Sequence, residues 1–304
     1  MNSLKTKSEP SPTQMSETGG TPVLQVDDSL ATLKIRIHGG PDRPTLIYLP
    51  GIHGDWTLVT EFRTAIQGLV RFVEFSYPRT LTWSLDEYAA AIEQALLANH
   101  IPRGWLLGES FGSQIVWALL ARAQARPGVE PFRPQGMILA GGFVRYPLYW
   151  GVRMAQAFTA QAPGWCQSSC FCLFAQYAKQ RHRRTPEALA GVQEFIRRRR
   201  EPMDRQAIGH RLKLIAEHDP RPIARQTRLP VYSLAGLVDP IVPLLWVRRW
   251  LERHCPGYRG GKTILLADHN VLGTAPRVSA EQVWRWMGQS DAALLASPSA
   301  RLEA

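Results

Sequence analysis

The stretch GWLLGESFGSQIVWALLARAQA, residues 104–125, decides how the chain is read. Its first seven residues form an apolar run of the length of one buried strand, and FGSQIVWALLARAQA reads as a helix. No spacer separates them. The junction is Gly108-Glu109-Ser110-Phe111-Gly112, a G-x-S-x-G run. A serine on so sharp a strand-to-helix turn has strained backbone angles, and glycines two residues to either side let neighbouring chains come close. The turn lifts Ser110 Oγ clear of the sheet, and the helix N-terminus behind it favours developing negative charge. As a bare pattern G-x-S-x-G occurs by chance in many chains. The strand before it and the helix after it give it meaning.

The flanking sequence repeats the same strand-helix rhythm. Residues 31–38 alternate in polarity and read as a half-buried strand. Residues 45–49 are continuously apolar, as expected for a sheet covered on both faces. A helix is expected over 57–67, a strand over 70–78, and a helix from Ser84 to Ala98 that opens with a Ser84/Glu87 capping box. After a strand at 136–142 the rhythm stops, and 143–228 offers only helical or irregular sequence. It resumes with a strand at 229–239, a helix through PLLWVRRWLERH, a strand at 262–268 and a last helix near 278–287.

Strands separated by helices make a mainly parallel sheet with helices on both faces, an α/β architecture. A helical block between two strands of that sheet reads as an inserted cap. The expected organisation is a disordered tail at 1–25, the first part of the core at 26–143, the cap at 144–228, the second part of the core at 229–290, and a flexible tail at 291–304. There is no internal repeat.

Composition bounds the function classes. The chain has 304 residues, 45% of them hydrophobic and 20% charged, which fits a globular protein able to bury a sizeable core. Net charge is +11, most of it from arginine, but no aromatic-basic motif accompanies it, so no nucleic-acid partner is expected. No run reaches the roughly 20 apolar residues of a membrane span, and the Ser/Thr/Pro/Glu-rich start is not a secretory signal. Cys166, Cys170, Cys172 and Cys255 lack zinc-site spacing and read as free thiols in a reducing cytoplasm. No metal or organic cofactor is implied. The oligomeric state is not legible.

A serine hydroxyl is a poor nucleophile until a base takes its proton, and the base needs an acid to orient it. Of eight histidines, His269 sits just past the last expected strand, in LLADHNVLGTAP. In LAGLVDPIVP, Asp239 directly follows another. Ser110, Asp239 and His269 all fall at carboxyl ends of parallel strands, where open α/β sheets build their sites. Asp268 is the rival acid, but its adjacency to the histidine turns it to the other side. Asp219 precedes its strand instead of following it.

An attacked carbonyl becomes an oxyanion and needs two backbone N–H donors. One is expected from Phe111, directly after the nucleophile. The other is expected from PGIHGD, residues 50–55, where Gly51 and Gly54 let Ile52 N–H face the pocket. His53 in that loop is read as structural, with substrate contact as the alternative.

Together these residues resemble the α/β-hydrolase fold family, in the branch with a helical cap. The resemblance covers residues 30–288 and rests on LPGIHGD as oxyanion loop, GESFGS as nucleophile elbow, LAGLVDPIVP as acid loop and ADHN as histidine loop. Pro50-Gly51 stands where many members have His-Gly, which removes a side chain that usually braces the loop. The serine sets the chain apart from relatives with an aspartate nucleophile, the haloalkane dehalogenases and epoxide hydrolases.

The resemblance implies a serine hydrolase acting on a small-molecule acyl substrate, an ester or thioester. An acyltransferase and a non-catalytic binding member of the fold are the alternatives. Arg197 to Arg200 spread right around a helix; they face solvent, or one or two attract an anionic substrate. Glu109 either braces the cap or is solvated.

Overall fold

Alternate residues of the central strands are apolar on both faces, and the sheet they build is buried from both sides. The fold was determined as a computed structural model, which describes residues 32–125, 131–148, 150–154 and 202–295, together with Gln176, Gln180, Leu189, Gln193 and Ile196. The strands are β1 (Lys34–His38), β2 (Thr45–Leu49), β3 (Arg71–Ser76), β4 (Arg103–Glu109), β5 (Arg133–Ala140), β6 (Val231–Gly236) and β7 (Tyr258–Ile264). The α-helices are α1 (Thr60–Ile66), α2 (Leu85–Ala98), α3 (Gly112–Ala125), α4 (Pro202–Glu217), α5 (Arg221–Gln226), α6 (Leu244–His254), α7 (Val271–Thr274) and α8 (Pro276–Leu295).

The seven strands line up in the order β1-β3-β2-β4-β5-β6-β7. Only β1 runs antiparallel to its neighbour, so the sheet is mainly parallel, as the strand-helix alternation requires. Leu46 and Tyr48 pack on one side with Phe62 and Ile66 of α1 and Val283 and Met287 of α8. Ile47 and Leu49 pack on the other with Ile92 of α2 and Ile115 and Trp117 of α3. α2 begins at the Ser84/Glu87 capping box, with both reciprocal bonds formed.

The order places the site. The chain runs from β2 outward to β3, then crosses back to lay β4 on the other side of β2. That reversal leaves a crevice beyond the carboxyl ends of β2 and β4, the place where open α/β sheets bind ligands. The loop after β2 and the turn after β4 both open into it.

Several boundaries differ from expectation. The strand displaced most is β7, expected at 262–268 and found at Tyr258–Ile264. It pairs with β6 from Val231↔Tyr258 to Gly236↔Ile264, through Gly260 and Gly261. Leu265 and Leu266, which gave the run its apolar core, are 71% and 77% exposed beyond the strand end. The first turn of the expected 57–67 helix is a 3₁₀ turn, Thr57–Val59. α8 runs to Leu295, well past the expected 278–287. Between β5 and β6 the described residues hold helices and no strand, α4 and α5 being the longest described there. Arg197 to Arg200 and Cys166, Cys170 and Cys172 lie outside the described residues. Cys255 is buried and free.

Candidate active site

Ser110 follows β4 with a φ of +49°, one of the few non-glycine residues in left-handed backbone space. Such a conformation is costly for an L side chain and persists only where the surroundings fix it. Here they do. Ser110 N–H donates to Ala140 O at 3.0 Å, and Ser110 O accepts from Ser113 N–H at 3.0 Å and Ser113 Oγ at 2.6 Å. Both motif glycines are needed for close approach. A Cβ on Gly112 would lie 2.1 Å from Leu49 O, and one on Gly108 would lie 2.9 Å from Ser113 Cα and N.

Ser110 Oγ lies 2.9 Å from His269 Nε2, and His269 Nδ1 lies 2.8 Å from Asp239 Oδ2. A carboxylate can only accept, so the proton of the neutral imidazole is on Nδ1 and the Nε2 lone pair faces the serine hydroxyl. The other oxygen of Asp239 accepts Ile241 N–H at 2.8 Å and Val242 N–H at 3.0 Å. Burial by itself would raise the Asp239 carboxyl. The hydrogen bond and charge of His269, with the two backbone donors, outweigh it and hold the group below its ordinary value.

The acid and histidine loops are tied to each other by Val238 N–H to Ala267 O at 3.1 Å. Gly236 allows this, since a Cβ there would sit 2.2 Å from Ala267 O. Neither rival acid reaches the imidazole. Asp268 Oδ1 accepts Asn270 N–H at 2.9 Å. Asp219 is held by Arg221 and Arg145, and hydrogen bonds from Arg221 lead the causes that lower its carboxyl.

The loop after β2 turns beside the serine. Gly54 N–H closes a turn onto Gly51 O at 2.9 Å, and a Cβ on Gly51 would come 3.5 Å from Ser110 Cβ. Ile52 N–H and Phe111 N–H donate to no described residue. The glycines serve two purposes that differ in part from the expectation. A Cβ on Gly51 would press first on the His53 ring, at 3.2 Å, whereas Gly54 has a φ of +81° and lies under a guanidinium, that of Arg211 on α4.

Glu109 corrects both alternatives given for it. It is 4% exposed, so it is not solvated, and its partner is a core residue, not the cap: Tyr48 donates its phenolic proton to Glu109 Oε2. His53 Nε2 stands 3.9 Å from the same carboxylate, with its side chain 9% exposed.

Two residues that hold the loops around Ser110 were missed by sequence reasoning. Ser113 Oγ accepts Phe143 N–H at 3.1 Å and pins the elbow to the loop after β5. Its signal, a second serine one turn into the helix, was present in GESFGS. Arg211 gave no signal, because its partners are distant in sequence. A cavity of about 350 Å³ opens near the acid loop, lined by Arg145, Tyr146, Arg221, Trp246, Val247 and Trp250 among others. Tyr146 O–H donates to Ile241 O, and burial, then the charge of Asp239, raises its hydroxyl above the ordinary value. Among the described residues no cluster of three or more His, Cys, Asp or Glu side chains could hold a metal ion, and no helix is long and apolar enough to cross a membrane.

The architecture is the α/β-hydrolase fold. A hydrolase from Pseudomonas aeruginosa superposes with a TM-score of 0.69 at 17% identity, over 90% of this chain and 100% of that one. A thermophilic esterase from Thermogutta terrifontis gives 0.62 at 18% identity, over 85% and 93%. The enol-lactonase from Burkholderia xenovorans gives 0.63 at 16% identity, over 84% and 96%. No protein-family model and no curated protein matches the sequence.

Proposed function

We propose that the protein is a serine hydrolase that cleaves a carboxylic ester or thioester through an acyl-enzyme. The observation that carries this reading is the continuous chain Ser110 Oγ, His269 Nε2, His269 Nδ1, Asp239 Oδ2, with links of 2.9 and 2.8 Å. His269 Nε2 takes the hydroxyl proton as Ser110 Oγ attacks the acyl carbon. Asp239 keeps the imidazole in the receptive tautomer and stabilises the imidazolium that forms. The carbonyl oxygen becomes an oxyanion, held by Ile52 N–H and Phe111 N–H. Collapse of the tetrahedral intermediate expels the alcohol or thiol, which receives the proton from His269. Water, activated by the same imidazole, then frees the acid and restores the serine.

The esterase and enol-lactonase of the same fold act on ester bonds, which accords with this reading. Residues 144–228, with α4 and α5 as their longest described helices, form the cap in this scheme, and the substrate is a small acyl compound.

The test is labelling with a fluorescent fluorophosphonate, which reports an activated serine. Labelling of the parent that is absent in Ser110→Ala and falls at least about a hundredfold in rate in His269→Ala fits the mechanism. A folded parent that takes no label and hydrolyses none of a panel of short- and long-chain esters and thioesters would sink it.

A further inference from the structure

We propose that Arg211 is a positioning residue for the oxyanion loop, one that makes the Ile52 donor depend on the seating of helix α4. The proposal rests on the reading of Ile52 N–H as an oxyanion donor. Arg211 is 3% exposed and reaches from α4 into the core. Nη1 donates to Ile52 O at 2.9 Å and Nη2 to Pro78 O at 3.1 Å, while the guanidinium stands 5.6 Å from the centre of the Tyr77 ring. Its Nε is buried without a hydrogen-bond partner, and no described carboxylate lies within ion-pair distance.

A buried cation without a counter-ion is expensive, several kcal/mol in general, and an apolar side chain of similar volume is the cheaper way to pack a helix. Docking of α4 therefore does not explain the arginine. Its contacts do. Three other carbonyls of the loop from Pro50 to Gly54 are held without α4: Pro50 O by Tyr77 O–H at 3.2 Å, Gly51 O by Gly54 N–H at 2.9 Å, Gly54 O by Tyr77 N–H at 2.7 Å. Ile52 O is held by α4. Fixing that carbonyl fixes the Ile52 backbone, and with the Gly51–Gly54 turn it sets where Ile52 N–H points.

Gly54 records the same fit from the other side, since a Cβ there would lie 2.5 Å from Arg211 Nη1. The uncompensated charge also sits behind the loop that meets the oxyanion, in surroundings where it is poorly screened.

α4 has anchors that do not touch this loop. The His210 ring bonds Trp83 O at 2.8 Å, and Asp204 pairs with Arg79 at 3.0 Å. They separate docking of the helix from positioning of the loop. Arg211→Met, Arg211→Lys and His210→Ala are compared with the parent for p-nitrophenyl acetate hydrolysis, fluorophosphonate labelling rate and melting temperature.

Arg211→Met is expected to lower kcat about a hundredfold with KM within about threefold, and to slow labelling in step. Arg211→Lys is expected to recover part of the loss, because an ammonium can reach one of the two carbonyls. His210→Ala is expected to lower the melting temperature with kcat within about twofold of the parent. A folded Arg211→Met with parental kcat overturns the proposal, as does a His210→Ala that loses kcat equally. If Arg211→Met does not fold, Arg211→Lys decides on the same split: reduced kcat at unchanged KM supports the role, and parental kcat removes it. A parent inert to both reagents defeats the hydrolase reading and this proposal together. An active parent with indifferent Arg211 variants defeats this proposal alone.

Discussion

Tyr48 donates its phenolic proton to Glu109, directly beneath the turn that carries Ser110. Tyr48 is the last residue but one of β2 and Glu109 the last of β4, and both are shut away from water, at 0% and 4% exposure. Burial, then the charge of Glu109, pushes the Tyr48 hydroxyl well above its ordinary value. The carboxylate just before the serine of G-x-S-x-G is thus a core group with a buried donor. Tyr48→Phe removes the proton and keeps the ring. It is expected to destabilise the fold by about 2 kcal/mol, the scale of a lost hydrogen bond to a charged group. Urea-unfolding midpoints measure this, and a Tyr48→Phe protein as stable as the parent would show that Glu109 does not need the bond.

Gly112 admits no side chain. A Cβ there would lie 2.1 Å from Leu49 O and 2.8 Å from Leu49 C, both backbone atoms of the next strand, so no side-chain rotation relieves the clash. Gly112→Ala is expected to cost about 3 kcal/mol, at the upper end for overpacking, and to displace the elbow. Gly151→Ala, which meets no described atom nearer than 3.8 Å, is the control. Melting curves of the two variants with the parent provide the comparison.

The sheet, its two-sided burial and the order of the site loops were legible because each depends on local sequence. The period of apolar residues gives the strands, and the glycines of the elbow give the close approach. Where reading failed, the deciding atoms lay elsewhere. β7 was displaced toward 262–268 because Leu265 and Leu266 look like a strand centre, while its register is set by pairing with β6 across a bulge at Val231/Tyr232. Glu109 reads as bracing the cap or solvated because its partner Tyr48 is 61 residues away. Arg211 reaches Ile52 over 159 residues, a contact no local pattern encodes.

Asp239 has three acceptor contacts to satisfy, and two of them are backbone N–H groups of its own loop. Asp239→Asn keeps the shape and the Oδ1-side acceptor, but its amide would donate toward His269 Nδ1 and leave the proton on Nε2, the nitrogen that accepts from Ser110 in the proposed mechanism. Ester hydrolysis and labelling rate are both expected to fall about 10³- to 10⁴-fold with the fold retained. A decrease of less than about tenfold, with the circular dichroism spectrum of the parent, would mean that Asp239 does not set the tautomer.

His218 gives the fold a defined acid sensitivity. Burial lowers its imidazole from 6.5 to about 4, against the opposing charge of Asp219. Gln114 amide nitrogen donates to Phe143 O at 3.1 Å and Val144 O at 3.0 Å, which turns Gln114 Oε1 toward His218 Nδ1 at 3.0 Å. The neutral ring therefore carries its proton on Nδ1. The unfolded chain binds a proton near pH 6.5 and the folded chain only near pH 4, so between these values the unfolded state holds more protons. Stability then falls as pH falls through that window and levels off, for this group, below about pH 4. The full shift corresponds to at most about 3 kcal/mol, and partial exposure of the ring reduces it. Asp219 and Asp239 act lower, since their carboxyls lie below the ordinary value and lose their contribution only as pH drops through it. His218→Gln is therefore expected to flatten the dependence of the urea midpoint on pH between 6.5 and 4 and to leave the more acidic decline in place. Equal slopes for parent and variant across that window would place the acid sensitivity elsewhere.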